Sequence, residues 1–124
     1  MFLTVKGKVK PGRGKAKKKL GFPTINISFP RSVKSNQWGI YFSLIKIDNK
    51  FYPGITHLGP VKSSIIGLKS CETYILNLNE DLYGKSVEKR LIFKFREIEK
   101  FPNWSKLRKQ IKKDVKAAKK FFGL

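Results

Sequence analysis

Thr24 and Asn26 stand two residues apart in the segment Leu20-Gly21-Phe22-Pro23-Thr24-Ile25-Asn26-Ile27, a spacing that can do chemistry if the segment is a strand. Pro23 cannot donate to a ladder and fits best at a strand's first residue. Thr24, Asn26 and Ser28 then share one face, and Ile25, Ile27 and Phe29 share the other. The oxygens of Thr24 and Asn26 fall roughly 6 to 7 Å apart along the strand, close enough to share one cation once the side chains converge. Magnesium accepts neutral oxygen ligands when it keeps waters and substrate phosphate oxygens, so the pair suits a metal that arrives with a polyphosphate. The plainer reading is an edge strand with its wet side outward.

Two other features bear on that choice. Residues 10 to 19 crowd Lys10, Arg13, Lys15, Lys17, Lys18 and Lys19 around Gly12 and Gly14. Glycine lets backbone amides approach an anion and lysines neutralise it, so the loop can cradle phosphates. It is not a Walker A loop, because no Gly-Lys-Ser/Thr ending is present and a strand follows where a P-loop leads into a helix. A solvated basic hairpin that attracts nucleic acid loosely is the alternative. Glu72 shares strand parity with Tyr74, Leu76 and Leu78, an apolar face. It is either a strand-end residue reaching solvent or a lysine, or a partly desolvated carboxylate placed as a general base.

The elements that must position these residues follow from periodicity. Residues 2 to 9 alternate, with Leu3, Val5 and Val9 on one side. Thr24 to Phe29 is the second strand. Trp38 to Ile47, apolar on both faces, suits a central strand, and Asp48-Asn49-Lys50 is a hairpin turn. Phe51 to Leu58 returns, with Pro53 and Gly54 suggesting a bulge or an edge. Gly59 to Lys69 is loop, and Ser70 to Asn79 and Val87 to Phe95 complete six strands. Phe93 and Phe95 share parity with Leu91, as core residues do. From Asn103, an N-cap, Trp104, Leu107, Ile111, Val115, Ala118 and Phe122 recur at helical spacing. The fold class is all-β: a six-stranded antiparallel barrel over residues 1–101 with a C-terminal α-helix over 103–122, in a single domain spanning 1–124.

Composition narrows the partners. Lys and Arg number 28 against 8 Asp and Glu, a net charge of +20, so the partner or substrate is anionic. With 40% hydrophobic residues and 10 Phe, the chain is too apolar for a disordered basic tail. Cys71 and His57 are each alone, which excludes a disulfide framework, a cysteine zinc cluster and a histidine metal site, and fits a reducing compartment. No apolar run approaches the ~18 residues needed to span a bilayer. The expectation is a cytoplasmic protein with no membrane association, acting as a monomer.

Gly12-Arg13-Gly14, Gly21-Phe22-Pro23-Thr24-Ile25-Asn26, Cys71-Glu72-Thr73, Asp81-Leu82-Tyr83-Gly84-Lys85 and Arg96 to Phe101, followed by Leu107, Gln110-Ile111 and Asp114, resemble riboflavin kinase in order and spacing. The resemblance runs from Val5 to Phe122. It implies a Greek-key barrel that transfers the γ-phosphate of ATP to the 5′-hydroxyl of riboflavin, giving FMN and ADP. By that similarity Thr24 and Asn26 hold Mg2+, or Zn2+ or Mn2+ in its place, against the ATP phosphates. Gly12, Gly14 and Lys18 line the phosphate loop, and Glu72 is the base. Ile75, Asn77 and Tyr83 match nucleotide-contacting positions, and Arg96 and Phe101 match positions near the flavin.

The chain departs from that pattern in three places. His57-Leu58-Gly59-Pro60 replaces an Asn-x-Gly followed by Pro-Thr, and Ile98 stands where an acid is common. The chain also begins at the first barrel strand, which leads to the expectation of FMN rather than FAD as product. No specific nucleic acid is expected. The competing reading is a small basic β-barrel that binds nucleic acid without catalysis, as barrels with cationic grooves and aromatic platforms do.

Overall fold

Six strands, one long helix and a short 3-10 turn (Ser35–Gln37) account for the regular structure among the described residues, in a computed structural model that describes residues 3–11, 24–61, 68–78 and 80–124. The strands are β1 (Leu3–Lys8), β2 (Thr24–Ile27), β3 (Gly39–Ile47), β4 (Lys50–Pro60), β5 (Lys69–Ile75) and β6 (Ser86–Arg96), and the helix is α1 (Trp104–Phe122). All pairings are antiparallel, in the order β1-β6-β3-β4-β5-β2. Strands β3 to β5 form a meander and β6 returns beside β3, which is the Greek-key order. The sheet curls until its two edges meet. Just past β1, the Lys10 amide donates to the Asn26 carbonyl at 2.8 Å.

Asp48 and Asn49, both with positive φ, make the two-residue turn between β3 and β4, a type suited to the right-handed twist of the strands. β3 is buried along most of its length because both of its faces are covered. Tyr41, Ile45 and Ile47 join Val5, Ile27, Leu58 and Leu91 inside the curl. Ile40 and Phe42 face outward to Ile55, Leu76 and Ala118 beneath α1. Sequence parity misassigns Phe93 and Phe95 to the interior. The β3–β6 register slips between Phe42/Phe93 and Ser43/Leu91, and again between Ile40 and Tyr41, so the two bulges turn both rings to the helix side. There Phe95 stacks on Phe42 at 4.6 Å and Phe93 on Phe121 at 5.4 Å.

Pro53 and Gly54 mark neither a bulge nor an edge. The β3–β4 register is continuous through Leu44↔Pro53, β5 lies on the other side, and the Pro53 carbonyl accepts from the Leu76 amide. Gly54 is required by close approach, since a Cβ there would stand 2.7 Å from the Tyr74 carbonyl oxygen. β2 is shorter than its alternation suggests, ending at Ile27, and β5 ends at Ile75.

Asn103 caps α1, its side chain accepting from the Lys106 amide at 2.9 Å. The helix is then fastened by a bidentate pair: Arg96 Nε and Nη2 donate to the Asp114 carboxylate at 3.0 and 2.7 Å. Gln110 donates to the same carboxylate, and Arg96 Nη1 to the Glu97 carbonyl. Asp114 is 2% exposed, so removing one partner strands a charge away from water. Asp114→Ala is expected to lower stability by about 3–5 kcal/mol in urea denaturation, with much of the loss recovered when Arg96 is also replaced by Met.

Candidate active site

Register places three of the candidate residues, Asn26, Glu72 and Arg96, in one row across the outer face of the sheet. Asn26 on β2 lies opposite Glu72 on β5, Glu72 opposite His57 on β4, His57 opposite Ile40 on β3, and Ile40 opposite Arg96 on β6. The Asn26 carbonyl is turned toward Lys10, away from β5. On β5, the bond from the Leu76 amide to Pro53 fixes an alternation that turns the Glu72 backbone toward β4. Asn26 and Glu72 are therefore a non-hydrogen-bonded pair, the arrangement that brings side chains closest, with Cα atoms about 4.5 Å apart. Both side chains are half-buried. Thr24 sits one step along the same face, opposite Tyr74.

Next along β2 is a cleft of about 270 Å³ that takes in Thr24 but neither Asn26 nor Glu72; it is lined by Val9, Lys10, Pro11, Thr24, Ile25 and the segment from Glu80 to Tyr83. That segment is anchored to the end of β1. The Val9 amide donates to the Lys85 carbonyl and the Gly84 amide to the Val9 carbonyl, both at 2.9 Å. Gly84 adopts φ 81, which its lack of a side chain permits. The Asp81 carboxylate accepts from the Tyr83 amide at 3.0 Å, and Leu82 is buried in the interior. Tyr83 is left 63% exposed at the rim of the cleft. A larger and shallower depression, about 560 Å³ between Lys6–Lys8, Lys46–Asn49 and Ser86–Glu88, contains none of the candidate residues.

The remaining candidates fall into two groups. Ile75 is packed in the interior at 4% exposure and Asn77 is exposed just beyond β5. Arg96 and Phe101 come together, with the guanidinium 6.0 Å from the ring centroid, at the far end of the row. Three inter-strand steps separate Arg96 from Glu72, about 14 Å along the sheet. Gly12, Gly14 and Lys18 lie outside the described residues.

His57 is the residue that sequence reasoning passed over. A lone histidine signals no metal site, and only the β4–β5 register reveals that it flanks Glu72. Its Nδ1 lies 2.9 Å from Ser70 Oγ. Burial lowers its pKa below the usual 6.5, and the nearby Glu72 carboxylate only partly opposes this. Neutral His57 is thus the folded state's preferred form.

A family model for riboflavin kinases (Flavokinase) matches residues 2–122. The chain belongs to the riboflavin kinase family. Among curated riboflavin kinase relatives, it is 33% identical over 109 residues to the "RNA-binding riboflavin kinase RibR" of Bacillus subtilis, covering 86% of this chain and 46% of that protein. It is 35% identical over 127 residues to the "Bifunctional riboflavin kinase/FMN adenylyltransferase" of Buchnera aphidicola subsp. Schizaphis graminum, covering 98% and 39%. The chain thus spans less than half the length of these two relatives. Its fold resembles that of riboflavin kinase from Trypanosoma brucei, with TM-score 0.63, 24% identity and coverage of 97% and 79%. The fold also resembles part of a structure described as a macrolide-efflux protein from Streptococcus pneumoniae, with TM-score 0.80, 23% identity and coverage of 95% and 38%.

Because the folded pKa of His57 lies below its unfolded value, the histidine's contribution to stability is complete above pH 6.5 and is lost as pH falls through the folded pKa. Urea denaturation between pH 7.5 and 5 should show this loss, and His57→Gln should remove that part of the slope.

Proposed function

We propose that this chain is an ATP:riboflavin 5′-phosphotransferase, producing FMN and ADP. The observation that carries the proposal is the direct cross-strand opposition of Asn26 and Glu72, with Thr24 beside them at the mouth of a cleft rimmed by Tyr83. Glu72 accepts the proton of the riboflavin 5′-hydroxyl as its oxygen attacks the γ-phosphorus. The bond from that phosphorus to the β,γ-bridging oxygen breaks, and ADP leaves. Phosphoryl transfer asks mainly for alignment and charge stabilisation, so a base, a metal-binding pair and local cations suffice. Lys10, tied through its backbone to Asn26, brings one such cation to the cleft.

Thr24 and Asn26 offer two neutral oxygens, and the described residues contain no cluster of three His, Cys, Asp or Glu that could hold a metal alone. Such a donor set suits Mg2+, or the similarly oxygen-seeking Mn2+, when nucleotide phosphates complete its shell, and suits Zn2+ poorly. The metal would neutralise phosphate charge during transfer. The flavin ring would lie on the Glu72 side of Ile40, which is buried beneath α1, with Arg96 and Phe101 beyond it. Arg96 gives three of its five N–H donors to Asp114 and Glu97, which hold the guanidinium in place, so its part is to shape that end of the site through Phe101. A single buried thiol suits a cytoplasmic setting.

The test is to incubate the purified chain with riboflavin, ATP and Mg2+ and follow FMN by chromatography. Absence of FMN across varied metals and nucleotides would sink the proposal. Glu72→Gln should lower turnover by about 10²- to 10⁴-fold while ATP still binds. Asn26→Ala should raise the concentration of MgATP needed while leaving the denaturation midpoint nearly unchanged.

One observation favours a second reading. All the lysines and arginines of α1 are exposed, while its single acid, Asp114, is buried and paired. Such a cationic face attracts nucleic-acid phosphates, and one relative is named as RNA-binding. Binding to RNA that weakens steeply with modest added salt and ignores sequence is the expected background of a +20 chain. Sequence-selective binding at physiological salt, with no FMN formed, would establish the second reading instead.

A further inference from the structure

A lysine with no exposed surface sits inside the curl, in a place the proposed reaction does not use. Lys89, on β6, is 0% exposed and points into the interior between its register partners Val5 on β1 and Ile45 on β3. Its ammonium donates to the Cys71 carbonyl at 3.0 Å and the Ile25 carbonyl at 3.3 Å. These carbonyls belong to the peptide units that enter Glu72 and Asn26. Because Asn26 and Glu72 are a non-hydrogen-bonded pair, the backbone ring around them is the widest gap in the β2–β5 ladder, and the ammonium bridges it from below. The side chains of Asn26 and Glu72 project from the opposite face.

We propose that Lys89 is a positioning residue, holding the Asn26–Glu72 pair at its working separation from inside the barrel. The proposal rests on the assignment of Glu72 as base and Asn26 as a metal ligand. Stability gives no reason for a charge at this place. The groups around the ammonium are apolar on β1 and β3 and backbone carbonyl on β2, with the Cys71 thiol and, across the sheet, Glu72 on β5. Burial accordingly lowers the Lys89 pKa to about 8 from 10.5, against a smaller raising effect of Cys71 and Glu72. A folded pKa below the unfolded value means that the charged lysine detracts from stability below pH 8, a loss recovered as pH rises toward 10.5. An apolar side chain would serve the fold better. The cation stands where it spans the two peptide units that carry the reacting pair.

Stability and turnover should therefore move in opposite directions in Lys89→Met. Its urea midpoint is expected to equal or exceed that of the wild type. Its kcat for FMN formation should fall at least tenfold with little change in KM for riboflavin, since small displacements of aligned groups cost rate more than binding. A kcat within twofold of wild type overturns the proposal. Unfolding of both Lys89→Met and Lys89→Ile would make the residue purely structural and would overturn it equally. Glu72→Gln measured alongside separates the two ideas. If that variant is inactive while Lys89→Met is normal, only the positioning role fails, and if Glu72→Gln turns over normally, the underlying assignment fails.

Discussion

Everything proposed for this molecule depends on how β2 pairs with β5. That pairing is short, four residues long, and it decides which side chains share a face. A slip of one residue would send Asn26 into the interior and bring Ile25 and Ile27 out, exchanging a polar site for an apolar patch. The register is held from three sides. Ile25 and Ile27 anchor it in the core, Lys10 ties the Asn26 carbonyl to the end of β1, and Lys89 bridges the two carbonyls beneath the pair. β5 is fixed independently by β4, through a ladder that includes the buried Thr56–Thr73 hydroxyl contact at 2.7 Å. Chemistry on the outer face thus borrows its precision from packing on the inner one.

The outer face is divided between two tasks. Toward β3 and β6 it is covered by α1, where Phe42 gathers Phe93, Phe95, Phe121 and Phe122. Toward β5 and β2 it carries the candidate residues. His57 and Arg96 lie on the same row at the boundary, and the Arg96–Asp114 pair both pins the helix and shapes the end of the row. The two bulges in β6 make this division possible, because they supply extra aromatic rings to the helix side without shifting Leu91 or Lys89 from the interior.

Much of this was legible in the residues. Alternation located the six strands and helical spacing located α1 with its Asn103 cap, because local periodicity and capping chemistry act over a few residues. Thr24, Asn26 and Glu72 were placed on the right faces for the same reason. Parity failed for Phe93 and Phe95, where bulges add residues that a period of two does not count. It also gave no hint that Pro53 could be accommodated between two strands. Cross-strand neighbours were the larger gap: Asn26 opposite Glu72, His57 beside it and Lys89 beneath it are long-range facts of register. Lys89 in particular reads as an ordinary surface lysine among Glu88, Arg90 and Lys94 until the fold turns it inward.

Paramagnetic NMR reads whether a metal-bound nucleotide sits at the Asn26–Glu72 pair. With Mn2+ and ATP added to isotopically labelled protein, the strongest line broadening is expected at the Asn26 side-chain amide and the backbone amides of Thr24 and Glu72. That broadening should require the nucleotide. Broadening centred instead on Lys6–Lys8 and Lys46–Asn49, around the larger depression, would put the nucleotide there and rule out the Asn26–Glu72 site.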